Sequence, residues 1–501
     1  MDKIQILQLG DRDWRKRYTV PDTVEIQYKK VLKKPTKKLY DLVILDRTPF
    51  DQEIPMLHKA AKAYTLFVTE HVEMTEKTAW LYRCKKGRKL EEKDIQDFLL
   101  QETGNYFSKP YGEKFRLDNL AIAQGFSGSV KWEGNQSVCL RGEFGTEFSQ
   151  AACWRNNIPI FKGQCLELWL EYQKRGDVEI ALSISGFLPN RSGDPVWKRE
   201  FSEEELRQGV WFDSSEGESW VFISLRVRGN GELRIVGLHV RYSRKGRGLF
   251  IPGGEQHVTS NCEEIFCYFD PGDMKPPLNV YFSGYKTQEG FEGYFLMRNL
   301  GAPFLLVAEA RLEGGGFYMG SEEYETMLGD TIFKYMRELH FTPDQVVLAG
   351  ISMGSFGAMY YGCDIRPHTV LLGKPLLSIG DIAANGKLLR PGAFATSLDI
   401  LRFLCGRTDS GAVEELNRRF WDKFDRTEWE RTKIIAAYML EDDYDGTAYR
   451  ELVSHVRQEG VELYGKGLHG RHNDNSAGIV NWFVDQLKQI LINDFHRKVD
   501  G

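Results

Sequence analysis

The chain has 501 residues, 42% of them hydrophobic and 27% charged, with a formal net charge of −5. That length exceeds one ordinary core and predicts about two to four domains, while the slightly acidic balance excludes an electrostatic nucleic-acid binder. The eight cysteines are scattered without a CxxC pair or a His/Cys ligand spacing, which argues against a disulfide scaffold or a zinc module and suits a cytoplasmic protein. The start, Met1-Asp2-Lys3-Ile4-Gln5, lacks a signal-peptide apolar stretch, and no apolar run approaches the roughly 18 residues of a membrane span. Any membrane contact is therefore expected to be peripheral.

Residues 1–110 predict a small α/β, Rossmann-like domain. Ile4–Leu9, Asp41–Asp46 and Tyr64–Thr69 are short apolar runs of parallel-strand type with helical patterns between them. Leu9-Gly10-Asp11 closes the first run without a GxGxxG, so a dinucleotide site is not supported. Lys29, Lys30, Lys33, Lys34, Lys37 and Lys38 form a basic cluster, read first as solvated surface. Docking to an acidic partner or an anionic membrane is the alternative.

From 115 to 240 the period changes to two. Leu166, Leu168 and Leu170 alternate with Glu167, Trp169 and Glu171, and Val178–Ile184, Trp220–Val227 and Leu233–Val240 continue the pattern. Short strands with Gly/Asn/Ser turns predict an antiparallel β-sandwich. Six tryptophans fall here (Trp132, Trp154, Trp169, Trp197, Trp211, Trp220), and most are expected in packing. As a sugar-stacking platform, Trp169 is the first candidate, because it alternates with leucines and shares the glutamates' face. Arg241–His257 reads as the linker into the last domain, and its stretch Arg244-Lys-Gly-Arg-Gly as a solvated hinge.

Residues 258–501 alternate β and helical patterns, as a parallel-sheet domain requires. Leu278–Phe282 leads to Ser283-Gly284-Tyr285, and Phe304–Ala308 is followed by the glycine-rich Gly314–Gly316 and a helix capped by Ser321. Val346-Val-Leu-Ala-Gly350-Ile-Ser352-Met-Gly354 then joins a strand directly to a helical pattern. A bare GxSxG is weak, but strand–turn–helix context is what a nucleophilic serine needs, with small residues two positions to either side. The alternative is a βα turn with an idle serine. A polar helical insertion is expected over 376–430, and a strand beginning at Lys433 ends before Glu441-Asp442-Asp443-Tyr444-Asp445. His469 and His472 lie just before the last helix, which carries Ile479, Val480, Phe483, Leu487 and Ile490.

The order serine, acid, histidine is that of an α/β hydrolase. Ser352 needs a histidine to take its proton, the histidine needs a carboxylate to fix its tautomer, and the oxyanion needs backbone N–H groups. His472 is preferred to His469 as the base, because a loop just before the last helix delivers it. Among the acids, Asp442 ranks ahead of Asp445 and Asp443. Met353 and Tyr285 are the expected oxyanion-hole donors.

Tyr281-Phe-Ser-Gly-Tyr, Gly350-Ile-Ser-Met-Gly-Ser-Phe-Gly-Ala, Glu441-Asp-Asp-Tyr-Asp and Gly470-Arg-His-Asn-Asp together resemble the accessory Sec system family of streptococci and related Gram-positive bacteria, specifically its second accessory Sec protein. The resemblance spans the whole chain. It implies a cytoplasmic component of the export route for serine-rich-repeat glycoproteins. The implied partners are the two companion accessory Sec proteins, the accessory Sec motor ATPase and the glycoprotein substrate. It further implies O-acetylation of N-acetylglucosamine on that substrate, with Ser352 as nucleophile, Asp442 as acid and His472 as base. Some relatives use glutamate as the acid where this chain has aspartate. No bound cofactor is expected, and the acetyl donor is not specified. A carboxylesterase or deacetylase would use the same residues, and a non-catalytic export scaffold would need none of them.

Overall fold

A computed structural model describes residues 3–35, 38–191, 193–213, 217–311, 315–389, 397–456 and 460–499. Met1, Asp2, Lys37, Gly314 and residues 390–396 of the insertion, all singled out above, lie outside the described residues. Among the described residues no helix is long and apolar enough to cross a membrane.

The first sheet is parallel, in the order Val24–Lys29, Ile4–Gly10, Leu42–Asp46, Leu66–Thr69, Arg88–Leu90. Its three inner strands are nearly continuous apolar runs because both faces are covered, one by the helices Ile54–Ala60 and Glu76–Cys84 and the other by Trp14, Ile95, Phe98, Leu99 and Tyr106. The two outer strands carry no apolar run of their own, so periodicity does not reveal them. At the carboxyl end Asp46 accepts from Trp14 Nε1 at 3.1 Å and Thr69 Oγ1 at 3.0 Å. A Cβ on Gly10 would stand 2.8 Å from that of Asp46, so this glycine makes room for a buried carboxylate rather than for a phosphate.

The second sheet is antiparallel and has eight strands, built around Ser137–Ile160, Cys165–Phe187 and Ser219–Tyr242. Each is 23 or 24 residues long, far beyond the usual five or six. The runs at Leu166–Leu170 and Val178–Ile184 are two halves of one strand, and both halves pack into one core with Trp154 and Val138. The sheet is therefore folded back on itself. Gly176 faces Gly231 in register with φ of +86° and +150°, and these glycines take the backbone through the bend.

The third sheet runs Glu255–Val258, Glu264–Asp270, Phe304–Ala308, Leu278–Phe282, Val346–Ile351, Thr369–Gly373, Thr432–Met439, Val461–Leu468. The first two strands are antiparallel to their neighbours and the remainder are parallel. This is an α/β-hydrolase sheet, with the Ser352 strand at its centre. Glu322–Leu339 and Met353–Ile365 cover one face, and Tyr294–Leu300 and Ser476–Gln489 the other. The helices Ile379–Leu389, Ser397–Cys405 and Ser410–Arg426 follow the Thr369–Gly373 strand. They are amphipathic rather than simply polar: Leu416, Phe420 and Phe424 are buried.

Two expectations are corrected by how the sheets meet. Arg244 is fully buried rather than part of a solvated hinge, and so is Arg241 just before it. The Arg241 guanidinium donates to both Glu264 oxygens at 2.6 and 2.7 Å and to Glu289 at 2.6 Å. Arg244 donates to the carbonyls of Asn105 and Phe250 and stacks 3.8 Å from the Phe107 ring. Trp169 is only 8% exposed, because the glutamate face of its strand turns inward. Glu171 there pairs with Lys114 at 2.6 Å and lies 3.2 Å from His239. Trp132, Trp211 and Trp220 are the exposed tryptophans among the described residues.

Candidate active site

Ser352 stands between strand and helix at φ 56°, ψ −123°, a conformation that costs a non-glycine residue of order 1–3 kcal/mol. The surroundings hold it there. Its N–H donates to Gly373 O at 2.8 Å, and its carbonyl accepts from Ser355 Oγ at 2.5 Å. A Cβ on Gly350 would meet Gly354 O at 2.1 Å, so the turn closes only with glycine there.

Ser352 Oγ lies 2.9 Å from His472 Nε2, and His472 Nδ1 lies 2.9 Å from Asp442 Oδ2. Asp442 Oδ1 accepts from the N–H groups of Tyr444 and Asp445 at 2.8 and 3.1 Å. Burial raises the Asp442 carboxyl, but the hydrogen bond and charge of His472 and those two amides outweigh it and hold it below the usual carboxylate range. The imidazole is itself buried, 3% exposed. Tyr444 packs on it at 4.4 Å, and Asp443 accepts from the backbone N–H of His472 at 3.1 Å.

The competing residues have other partners. His469 points to solvent and meets Glu441 at 3.1 Å. Asp445 accepts from Leu377 N and Ser378 N at 2.7 and 2.9 Å, anchoring the start of the helical insertion. Burial pushes its carboxyl up, against the pull of those amides.

Met353 is the first residue of its helix, where N–H groups lack intrahelical acceptors. Tyr285 follows the adjacent strand, and both residues line one cavity of about 250 Å³. The loop carrying Tyr285 is shaped by Glu292, whose carboxylate accepts from Gly284 N at 2.7 Å while its N–H donates to Ser283 Oγ.

Lys374 donates to Ser476 Oγ at 2.9 Å and Asp474 O at 3.3 Å. It ties the His472 loop to the last helix. Glu292 and Lys374 carry no motif, since their partners are set by tertiary structure. Glu70, His71 and Glu92 form a group that could hold a metal, but Glu92 is already paired with Arg12 and Arg17.

The fold is thus an α/β hydrolase joined to a parallel α/β unit and a β-rich unit, with a Ser–His–Asp hydrogen-bonded chain at the carboxyl ends of the central strands. The family model for Asp2, described as accessory Sec system GspB-transporter, matches residues 4–497. The chain belongs to this family. It is 36% identical over 508 residues to the accessory Sec system protein Asp2 of Streptococcus gordonii, covering 99% of each chain. It is 38% identical over 391 residues to the Staphylococcus aureus (strain NCTC 8325 / PS 47) protein of the same name, covering 78% of this chain and 75% of that one. A chain in the structure of the glycosylation associate protein (Gap123) complex from Streptococcus agalactiae superposes with a TM-score of 0.88 at 34% identity, covering 99% of this chain and 100% of that one.

Proposed function

We propose that the chain is a serine-dependent O-acetyltransferase of the accessory Sec system, acting on N-acetylglucosamine of a serine-rich-repeat glycoprotein and needed for its export. The observation that carries this reading is the relay from Asp442 through His472 to Ser352, each link 2.9 Å, ending on a strained elbow. His472 takes the Ser352 proton as Oγ attacks the carbonyl carbon of an activated acetyl ester or thioester. The amides of Met353 and Tyr285 hold the oxyanion, and His472 returns the proton to the leaving group. The acceptor hydroxyl then attacks the acetyl-serine and gives its proton to His472, and Ser352 regains that proton as the product ester leaves. Water in place of the sugar would make the same residues an esterase or deacetylase.

On this reading the chain is cytoplasmic, peripheral at the membrane at most, and works beside the two companion accessory Sec proteins, the motor ATPase and the glycoprotein. The relative in the Gap123 complex was itself solved as part of an assembly. The test is mass spectrometry of adhesin glycans from cells carrying wild type or Ser352→Ala. Acetylated sugars disappear in the variant if the chain is the transferase. An unchanged acetylation pattern rejects it, and extra acetylation in the variant points to the deacetylase.

A further inference from the structure

Gly373 and Lys374, at the end of the strand beside the elbow, touch all three segments that carry the relay. Gly373 O accepts from Ser352 N at 2.8 Å, and Lys374 N donates to Ala437 O at 2.7 Å in the strand that leads to Asp442. The Lys374 side chain then reaches the segment past His472, at Ser476 Oγ and Asp474 O.

The two sides of the His472 loop are held differently. Up to the histidine, the acid loop grips it: Glu441 accepts from Gly470 N at 2.6 Å and Asp443 from His472 N at 3.1 Å. Past the histidine, residues 473–476 are exposed, and the backbone turns on itself, Asp474 N donating to Arg471 O at 3.0 Å. Asn475, at φ 48°, precedes the last helix without a side-chain cap. Among the described residues, the hydrogen bonds that join Asp474 and Ser476 to the sheet both come from Lys374.

For stability alone a lysine is poorly suited to this place. It is 4% exposed, and among the described residues no carboxylate forms an ion pair with its ammonium, so a charge is taken out of water with neutral acceptors only. Burial lowers the ammonium, and the charges of Asp442 and Asp474 offset this only in part. The ammonium also lies at the first turn of Ser476–Gln489, the positive end of the helix dipole, where a cation is disfavoured. Finally, its backbone sits at φ +51°, a left-handed conformation that favours glycine. Costs of this kind gather where a site needs its parts held in place.

We infer that Lys374 is a positioning residue for the catalytic base: its ammonium pins the far side of the His472 loop, so that Nε2 stays on Ser352 Oγ while Nδ1 stays on Asp442. Lys374 acts through His472. The inference rests on the serine reading proposed above.

The test uses the full-length chain, a small activated acetyl ester, and a fluorophosphonate probe that labels Ser352 at a rate set by the activation of its hydroxyl. Lys374→Met keeps the length of the side chain and removes the charge. It lowers kcat and the labelling rate together, by about ten- to 100-fold, with KM little changed, while the melting temperature holds or rises. A lysine with a merely structural role would not give that split. Ser476→Ala removes one of the two acceptors and lowers kcat by a smaller factor. Added to Lys374→Met it lowers kcat no further, because the two residues form one tie. Wild-type kcat and labelling in Lys374→Met overturn the inference, and so does a loss of activity that only follows a lowered melting temperature. Ser476→Ala, on an exposed residue, keeps the test open if Lys374→Met does not fold: wild-type kcat and labelling there overturn the tie as well. A double variant whose loss is the product of the two single losses does the same. Each of these leaves the serine reading intact, whereas turnover surviving in Ser352→Ala overturns both.

Discussion

A Cβ on Gly354 would lie 2.1 Å from the carbonyl oxygen of Phe282. The helix that starts after Ser352 therefore presses backbone to backbone on the strand that leads to Tyr285. Gly354→Ala must drive the two apart and displace both expected oxyanion donors. A shift of about 1 Å at a reacting centre can cost 100-fold, so hydrolysis of a small activated acetyl ester should fall by about that factor or more. The ester assay checks it beside a thermal melt.

Gly329 is the opposite case. It lies within the helix Glu322–Leu339, and a Cβ there would meet nothing within 4 Å. Gly329→Ala should stabilise by roughly 0.5–1 kcal/mol through lower backbone entropy of the unfolded chain, without touching the site. A higher melting temperature with unaltered ester turnover is the expected result.

Asp442 and Asp445 are three positions apart and do different work. Asp442→Asn removes the charge that orients and stabilises the His472 imidazolium, and kcat should drop on the order of 10⁴-fold, as in other Ser–His–Asp systems. Asp445→Ala leaves the N–H groups of Leu377 and Ser378 without their acceptor. It should cost about 1–3 kcal/mol of stability for each amide left unsatisfied, with a far smaller effect on kcat. Denaturant melts and ester kinetics on both variants separate the two roles.

The network where the β-rich and hydrolase units meet gives a pH signature. Burial raises the Glu171 and Glu289 carboxyls, but Lys114 and His239 at the first, and Arg241 and His239 at the second, hold both well below the usual range. Their stabilisation is complete above the unfolded carboxylate pKa of about 4.3 and is lost as pH falls through the folded values. His239 has the reverse sign. Burial lowers it, yet Glu289 and Glu171 raise it above the ordinary imidazole range. Its contribution is complete below about pH 6.5 and fades as pH rises through the folded value. His239→Gln should therefore lower the melting temperature more at pH 6 than at pH 9. At pH 6 the loss corresponds to about 3–5 kcal/mol, the cost of removing one partner from a buried ion pair.

The centre of the hydrolase sheet was legible because its inner strands are apolar on both faces and its elbow is a local feature, whereas the antiparallel strands Glu255–Val258 and Glu264–Asp270 were not read. Ser352, Asp442 and His472 could be ranked from chain order alone, since loops after successive parallel strands converge at one end of a sheet. Length and burial in the β-rich unit were not legible. Alternation at Leu166–Leu170 gives the face of each residue but not that the strand continues through Gly176 to Phe187. Nor does it show that the glutamate face is covered, which is why Trp169 read as a surface platform. Arg244 looked solvated because charge is normally exposed, and the carbonyl of Asn105 that it meets, like the carboxylates that hold Arg241, belongs to another segment of the chain.

The embrace of Glu289 has a practical corollary. The loop that bears Tyr285 reaches away from its own sheet, with Glu289 N donating to Gly112 O and its carboxylate clasped by His239 and Arg241. An excised fragment beginning near residue 255 would strand Glu264 and Glu289 against apolar neighbours with their cations gone. The enzyme-like half of the molecule is thus not a detachable module, and dissecting it from what precedes it would dismantle the very loop on which its chemistry depends.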